Sequence, residues 1–248
     1  MFCGIEIMRD KTEYYNIKID CESMTQKNKL SVSLMCADLL NMEDQVRVFE
    51  KAGVDYLHID IMDAHFVPNL TFGPDFVNRL RGITDIPFDI HLLMSHPRVI
   101  VRSLDLRPGD IVTVHAECKD NILEDIAYVK QAGAQFGLAL NPDTTIKEVG
   151  KHLRYVDVLL LMLIVPGFPG STMINGIMNK VEDVKSYLVK NRYNDILIEV
   201  DGSVSLEKAQ EMAQKGASIF VGGTASIFKK GKSPEETIPV FLDAIRKQ

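Results

Sequence analysis

The chain has 248 residues, 46% of them hydrophobic, and a formal net charge of −6, which fits a globular protein with a well-buried core. No basic run interrupts the acidic balance, so a nucleic-acid partner is not expected, and no stretch reaches the roughly 18 apolar residues of a membrane span. The four cysteines, Cys3, Cys21, Cys36 and Cys118, show no metal-type spacing, which points to reduced thiols and a cytoplasmic location.

Residues 1–28 read as a polar N-terminal extension without an apolar core of signal-peptide length. After it, short β-rich runs alternate with helix-periodic ones. Strands are expected at 30–35, 55–61, 87–92, 110–115, 135–140, 156–163, 196–201 and 218–222. Amphipathic helices are expected at 42–52, 121–132, 177–190 and 206–215. Gly53, Gly133 and Gly216 follow helical runs, where a left-handed residue ends a helix. Eight strands in βα alternation with no linker predict one (β/α)8 TIM barrel over 29–248. An open doubly wound sheet is the alternative, but no GxGxxG turn follows the first strand, where Ser33-Leu34-Met35-Cys36 stands instead.

In such a barrel the chemistry belongs at the C-terminal ends of the strands. Strand 2 ends Leu57-His58-Ile59-Asp60-Ile61-Met62-Asp63, and alternation turns His58, Asp60 and Met62 inward together. A charged aspartate inside a barrel is costly unless paired or metal-bound. Strand 3 adds His91, and strand 7 adds Asp201 at the lip. His58, Asp60, His91 and Asp201 thus make a two-histidine, two-aspartate set for one divalent metal, Zn²⁺ first, with Mn²⁺, Fe²⁺ or Co²⁺ as alternatives.

Gly167, Phe168, Pro169 and Gly170 follow strand 6, and Gly222-Gly223-Thr224 follows strand 8. Backbone N–H groups in such turns cradle phosphate, so a phosphorylated substrate is expected. Met62 and Met162 are candidates for an apolar pocket wall, as is His115, which Glu117 follows on strand 4. His65, His96 and His152 fall in loops or helices and read as solvated.

The segment His58-Ile59-Asp60-Ile61-Met62-Asp63-Ala64-His65-Phe66-Val67-Pro68-Asn69 resembles the HxDxMDGxFVPN signature of the ribulose-phosphate 3-epimerase family. Phe88 to Leu92, Thr113 to Glu117, Val200 to Ser203 and Gly223-Thr224 match later blocks of that family in order. The resemblance implies that His58, Asp60, His91 and Asp201 bind metal and that Asp60 and Asp201 are the acid–base pair. It implies substrate or phosphate contacts at Ser33, His91, Gly167, Phe168, Pro169, Gly170, Gly202, Ser203, Gly223 and Thr224, and a homo-oligomer.

The sequence departs from the family pattern at Val32, Ala64, Leu93, Leu163 to Val165, Pro169 and Ser171. Pro169 removes one backbone N–H from the phosphate loop. The Ser33-Leu34-Met35-Cys36 and Asp201-Gly202-Ser203 segments look like the branch acting on D-allulose 6-phosphate. The expected activity is therefore 3-epimerisation of D-ribulose 5-phosphate and D-xylulose 5-phosphate, or of D-allulose 6-phosphate and D-fructose 6-phosphate. The rivals are another metal-dependent barrel enzyme and a non-catalytic sugar-phosphate-binding barrel. A Schiff-base aldolase would need an inward strand lysine, and Lys29 is the one candidate.

Overall fold

The computed structural model describes residues 27–247, so the extension expected over 1–28, with Cys3 and Cys21, lies outside them save its last two residues. Asn28 is tied into the body: its side-chain amide donates to Ile245 O at 2.7 Å, and Arg246 Nε donates to Asn28 O at 3.2 Å.

Eight parallel strands close in sequence order into the expected barrel. They are β1 (Lys29–Ser33), β2 (Tyr56–Met62), β3 (Phe88–Leu93), β4 (Ile111–His115), β5 (Gln135–Leu140), β6 (Val158–Met162), β7 (Leu197–Asp201) and β8 (Ile219–Gly222). Outward residues such as Leu57, Ile59, Ile90, Leu92, Val112 and Val114 bury against the helices in one continuous core. With side chains buried on both faces, the strands read as near-continuous apolar runs.

The helices are α1 (Met42–Ala52), α2 (Pro74–Leu80), α3 (Arg98–Val101), α4 (Ile122–Gln131), α5 (Asn179–Lys190), α6 (Leu206–Gln214) and α7 (Pro234–Arg246). α1 buries Met42, Val46 and Phe49, one face at helical spacing, and stops at Gly53 with φ +71°. A capping box of Ser233 and Glu236 starts α7. None of the helices is long and apolar enough to cross a membrane among the described residues.

The structure corrects the reading in two places. β1 stops at Ser33, because Leu34–Cys36 fold into a 3-10 turn whose end is closed by Ala37 N–H on Leu34 O at 3.1 Å. Between β5 and β6 there is no α-helix, only turns and a 3-10 helix at Leu153–Tyr155.

Inside the barrel, Tyr56, Ile111, Val158, Leu197 and Ile219 form an apolar floor at the N-terminal ends of the strands. Above it the wall is split. Ser31, His58, Asp89, Thr113 and Glu199 make a fully buried polar side, while Ala139, Leu160 and Met162 make an apolar one. A Cβ at Gly137 would lie 2.1 Å from Thr113 Oγ1, so β5 must carry glycine there.

Candidate active site

β2, β3 and β7 bring His58, Asp60, His91 and Asp201 together, and one ligand-type atom from each lies within 4.8 Å of the others. Asp60 is the hub. Its Oδ1 is 3.2 Å from His58 Nε2 and 3.1 Å from His91 Nδ1, and its Oδ2 accepts from Ser33 Oγ at 3.4 Å. Two imidazole nitrogens and two carboxylates facing one another form a donor set suited to a divalent cation.

The two aspartates are driven apart in acidity. Burial works against ionising Asp60, but the adjoining His58 and His91 outweigh it and hold the carboxyl well below its usual range. Asp201 is pushed up to about 7, chiefly by burial, with the Asp60 and Asp89 carboxylates adding to it and His58 opposing. Without a cation the two carboxyls are thus displaced to opposite sides of their ordinary range.

A second layer lies beneath. Asp89 Oδ2 faces His58 Nδ1 at 2.6 Å and accepts from Ser31 Oγ at 2.7 Å. Burial opposes a charge on His58, but the Asp60 and Asp89 carboxylates on either side outweigh it and hold the imidazole well above its usual range; a carboxylate behind a histidine also orients its ring. Glu199 is fully buried close by, with Oε1 3.9 Å from His58 Nδ1. Burial, then the Asp89 carboxylate, raises Glu199 well above the ordinary range. Asp89 Oδ1 and both Glu199 oxygens are buried there without a hydrogen-bond partner. Sequence reading passed over Asp89 and Glu199. Each precedes a named residue, His91 or Asp201, by two, so strand alternation was the available signal.

Ser33, Asp60, Met62, Leu93, Met162, Asp201, Gly202, Ser203, Gly223, Thr224 and the segment 167–170 all line one cleft of about 530 Å³ that opens to solvent. The lining contains no lysine or arginine, so its means of holding an anion are backbone N–H groups and hydroxyls. Two expectations fail here. His115 is fully buried behind His91 and is not a wall of this cleft, and His91, equally buried, does not line it either. Lys29 lies at the floor, where its Nζ donates to Tyr56 OH at 2.9 Å, far from any Schiff-base position.

The loop after β2 organises the rim. Asp63 Oδ1 accepts from the His65 and Phe66 N–H groups, and its Oδ2 accepts from Ser95 N–H at 2.9 Å. Asn69 Nδ2 donates to Gly167 O at 2.7 Å, stitching this loop to the glycine segment after β6. Ala64, where the signature carries glycine, sits at φ +57°, a left-handed conformation costly to a residue with a Cβ. His65 and His96 are exposed, His96 pairing with Asp120 at 2.8 Å.

Gly202 holds Asp201 against the neighbouring strand. Its φ is +111°, and an added Cβ would meet Ile164 Cγ1 at 2.6 Å. Gly202→Ala is expected to shift the Asp201 carboxyl and lower kcat by roughly 10²-fold, the scale of a 1 Å misplacement. Steady-state kinetics beside a melting curve checks this; wild-type kcat would show that the contact relaxes harmlessly.

Fold and site together define a (β/α)8-barrel enzyme whose cleft carries an aspartate pair and amide-rich loops, with two buried histidines behind the pair. Comparison with known proteins then fixes the lineage. Residues 29–228 match the Ribulose-phosphate 3 epimerase family. The chain is 36% identical over 197 residues to the ribulose-phosphate 3-epimerase of Bacillus subtilis, covering 79% of this chain and 91% of that protein. It is 35% identical over 219 residues to the enzyme of that name from Chlamydia trachomatis, covering 88% and 94%. Among solved structures, phosphoribosyl anthranilate isomerase from Thermococcus kodakaraensis superposes with a TM-score of 0.59 at 13% identity, over 89% of this chain and 100% of that one. That likeness shows the fold alone. The chain belongs to the ribulose-phosphate 3-epimerase family, and is an isomerase of the carbohydrate-epimerase class.

Proposed function

We propose that the chain interconverts D-ribulose 5-phosphate and D-xylulose 5-phosphate by moving a proton at carbon 3 between Asp60 and Asp201. The observation that carries this reading is the meeting of two carboxyls, from strands three apart around the barrel, at one cleft. A divalent cation held by His58, Asp60, His91 and Asp201, Zn²⁺ in the first place, would supply Lewis-acid stabilisation of the charge developing on the sugar oxygens.

The residues themselves do the rest. Asp60, ionised and aimed by Ser33, takes the carbon-3 proton from one face and leaves an enediolate. Asp201 serves the other face, returning a proton there, and the roles exchange in the reverse direction. Met62, Leu93 and Met162 line the cleft with apolar surface that keeps water from the carbanionic carbon. The phosphate is held by backbone amides of Gly167 to Gly170 (less Pro169, which has none), Gly202, Ser203, Gly223 and Thr224.

The test compares D-ribulose 5-phosphate with unphosphorylated D-ribulose, and both with D-allulose 6-phosphate. Two charge-assisted hydrogen bonds of roughly 1.5–3 kcal/mol each set an expected loss in kcat/KM of at least about 10²-fold without phosphate. Equal kcat/KM with and without phosphate would mean that the amide-rich loops do something else. Preference for the hexose phosphate would move the assignment to the six-carbon substrate.

A further inference from the structure

Behind His91, on the side away from the cleft, runs a chain of hydrogen-bonding groups that substrate contact does not require. His91 Nε2 is 2.9 Å from His115 Nε2, and His115 Nδ1 is 3.1 Å from Glu117 Oε2. Glu117 Oε1 accepts from Asn141 N–H at 3.0 Å and from the Thr144 hydroxyl. The two imidazole planes lie within 22° of each other with centroids 5.0 Å apart, and both rings are fully buried. Glu117 itself opens onto a different cavity, beside Cys118, Glu148 and His152, that shares no lining residue with the substrate cleft.

We propose that His115 and Glu117 are positioning residues that fix the tautomer of His91, so that its Nδ1 presents a bare lone pair to the cation. The inference rests on the reading above that His91 binds metal. A carboxylate can only accept, so Glu117 draws the proton of the His115 ring to Nδ1. His115 Nε2 is then bare and must accept, which requires the proton of His91 on Nε2. His91 Nδ1, on the Asp60 side of the ring, is left without a proton; it cannot then also donate to Asp60, so this tautomer is the one the chain sets in the cation-loaded protein. Glu117 stays a carboxylate for this purpose. Burial opposes its charge, but His115, Thr144 and the Asn141 amide outweigh it and hold it at about 2. His58 is backed directly, by Asp89 at 2.6 Å. The two histidines of the site are thus backed by carboxylates at unequal range, one sealed in the barrel and one at the edge of a separate cavity.

Glu117→Gln tests the direction of this chain. The amide oxygen of glutamine takes over the bonds from Asn141 N–H and Thr144, which turns its NH₂ toward His115. His115 Nδ1 must then accept, its proton moves to Nε2, and His91 is driven to carry its proton on Nδ1, where the cation should be. The experiment uses the full chain loaded with Zn²⁺, with imidazole ¹⁵N NMR to read each tautomer and chelator competition to read the Zn²⁺ Kd. The wild type is expected to show protons on His91 Nε2 and His115 Nδ1. Glu117→Gln is expected to reverse the His115 tautomer and raise Kd by about 10–100-fold, the usual cost of losing an outer partner of a metal ligand, with KM for the sugar phosphate unchanged at saturating Zn²⁺. Zn²⁺-loaded wild type with the opposite tautomers overturns the inference without recourse to any variant, as does Glu117→Gln with unchanged Kd. Failure of the wild type to take up Zn²⁺ overturns the metal reading and this inference with it.

Discussion

Asp201→Asn is expected to abolish net epimerisation while leaving the fold intact. Asparagine keeps the shape of the side chain at the lip of β7 but can neither accept nor deliver the proton. General acid–base groups contribute roughly 10²–10⁴-fold, and because an amide oxygen is the weaker cation ligand, partial metal loss would deepen the defect. Asp60 remains, so one epimer can still be deprotonated and reprotonated on its own face. Solvent deuterium is then expected at carbon 3 of that epimer without inversion. Metal content measured on the same sample separates loss of the proton carrier from loss of the cation. Near-wild-type turnover would take Asp201 out of the mechanism.

The second large effect is expected from the histidines. The purified protein is expected to hold about one divalent ion per chain, as the four-residue donor set implies, and His58→Ala and His91→Ala to lose it. Their affinity should fall further than the roughly 10–100-fold typical of an outer-partner change, since a ligand itself is removed. His58→Ala should also unfold more readily than His91→Ala. It strips Asp89 of its 2.6 Å partner inside the barrel, and an uncompensated buried charge costs about 3–5 kcal/mol. His91→Ala takes one partner each from His115 and Asp60, and Asp60 keeps His58 and Ser33. Elemental analysis and thermal melting check both; retained metal in the two variants would dissolve the proposed centre.

Much of this was legible in the sequence because barrel strands expose their chemistry by alternation. His58 and Asp60 share one face of β2, and His91 and Asp201 end β3 and β7, so the four could be brought to one end before any coordinates. Depth was harder to read. Asp89 and Glu199 have the same inward parity one layer lower, where a charge looks indistinguishable from a structural ion pair until its neighbours are known. His115 was placed on the cleft wall for the same reason: parity turns it inward, but only the packing of β3 against β4 puts His91 in front of it.

Local signals also fixed α1, α4, α5 and α6 better than the others. α2 and α3 are short, and α7 carries Pro239 in its interior, which weakens a periodic reading. The bond from Asn69 to Gly167 joins residues 98 apart and has no local signature. It explains why the asparagine that closes the His58–Asn69 motif matters to a loop on the far side of the cleft.

The proposed chemistry makes one demand that binding alone does not. In D₂O, with D-ribulose 5-phosphate and the metal-loaded chain, deuterium is expected to enter carbon 3 as D-xylulose 5-phosphate forms, and to appear in recovered D-ribulose 5-phosphate as the reverse reaction runs. Proton NMR of the carbon-3 position reads both. Binding of the sugar phosphate with neither isotope exchange nor inversion would contradict the account and leave a barrel that holds its ligand without acting on it.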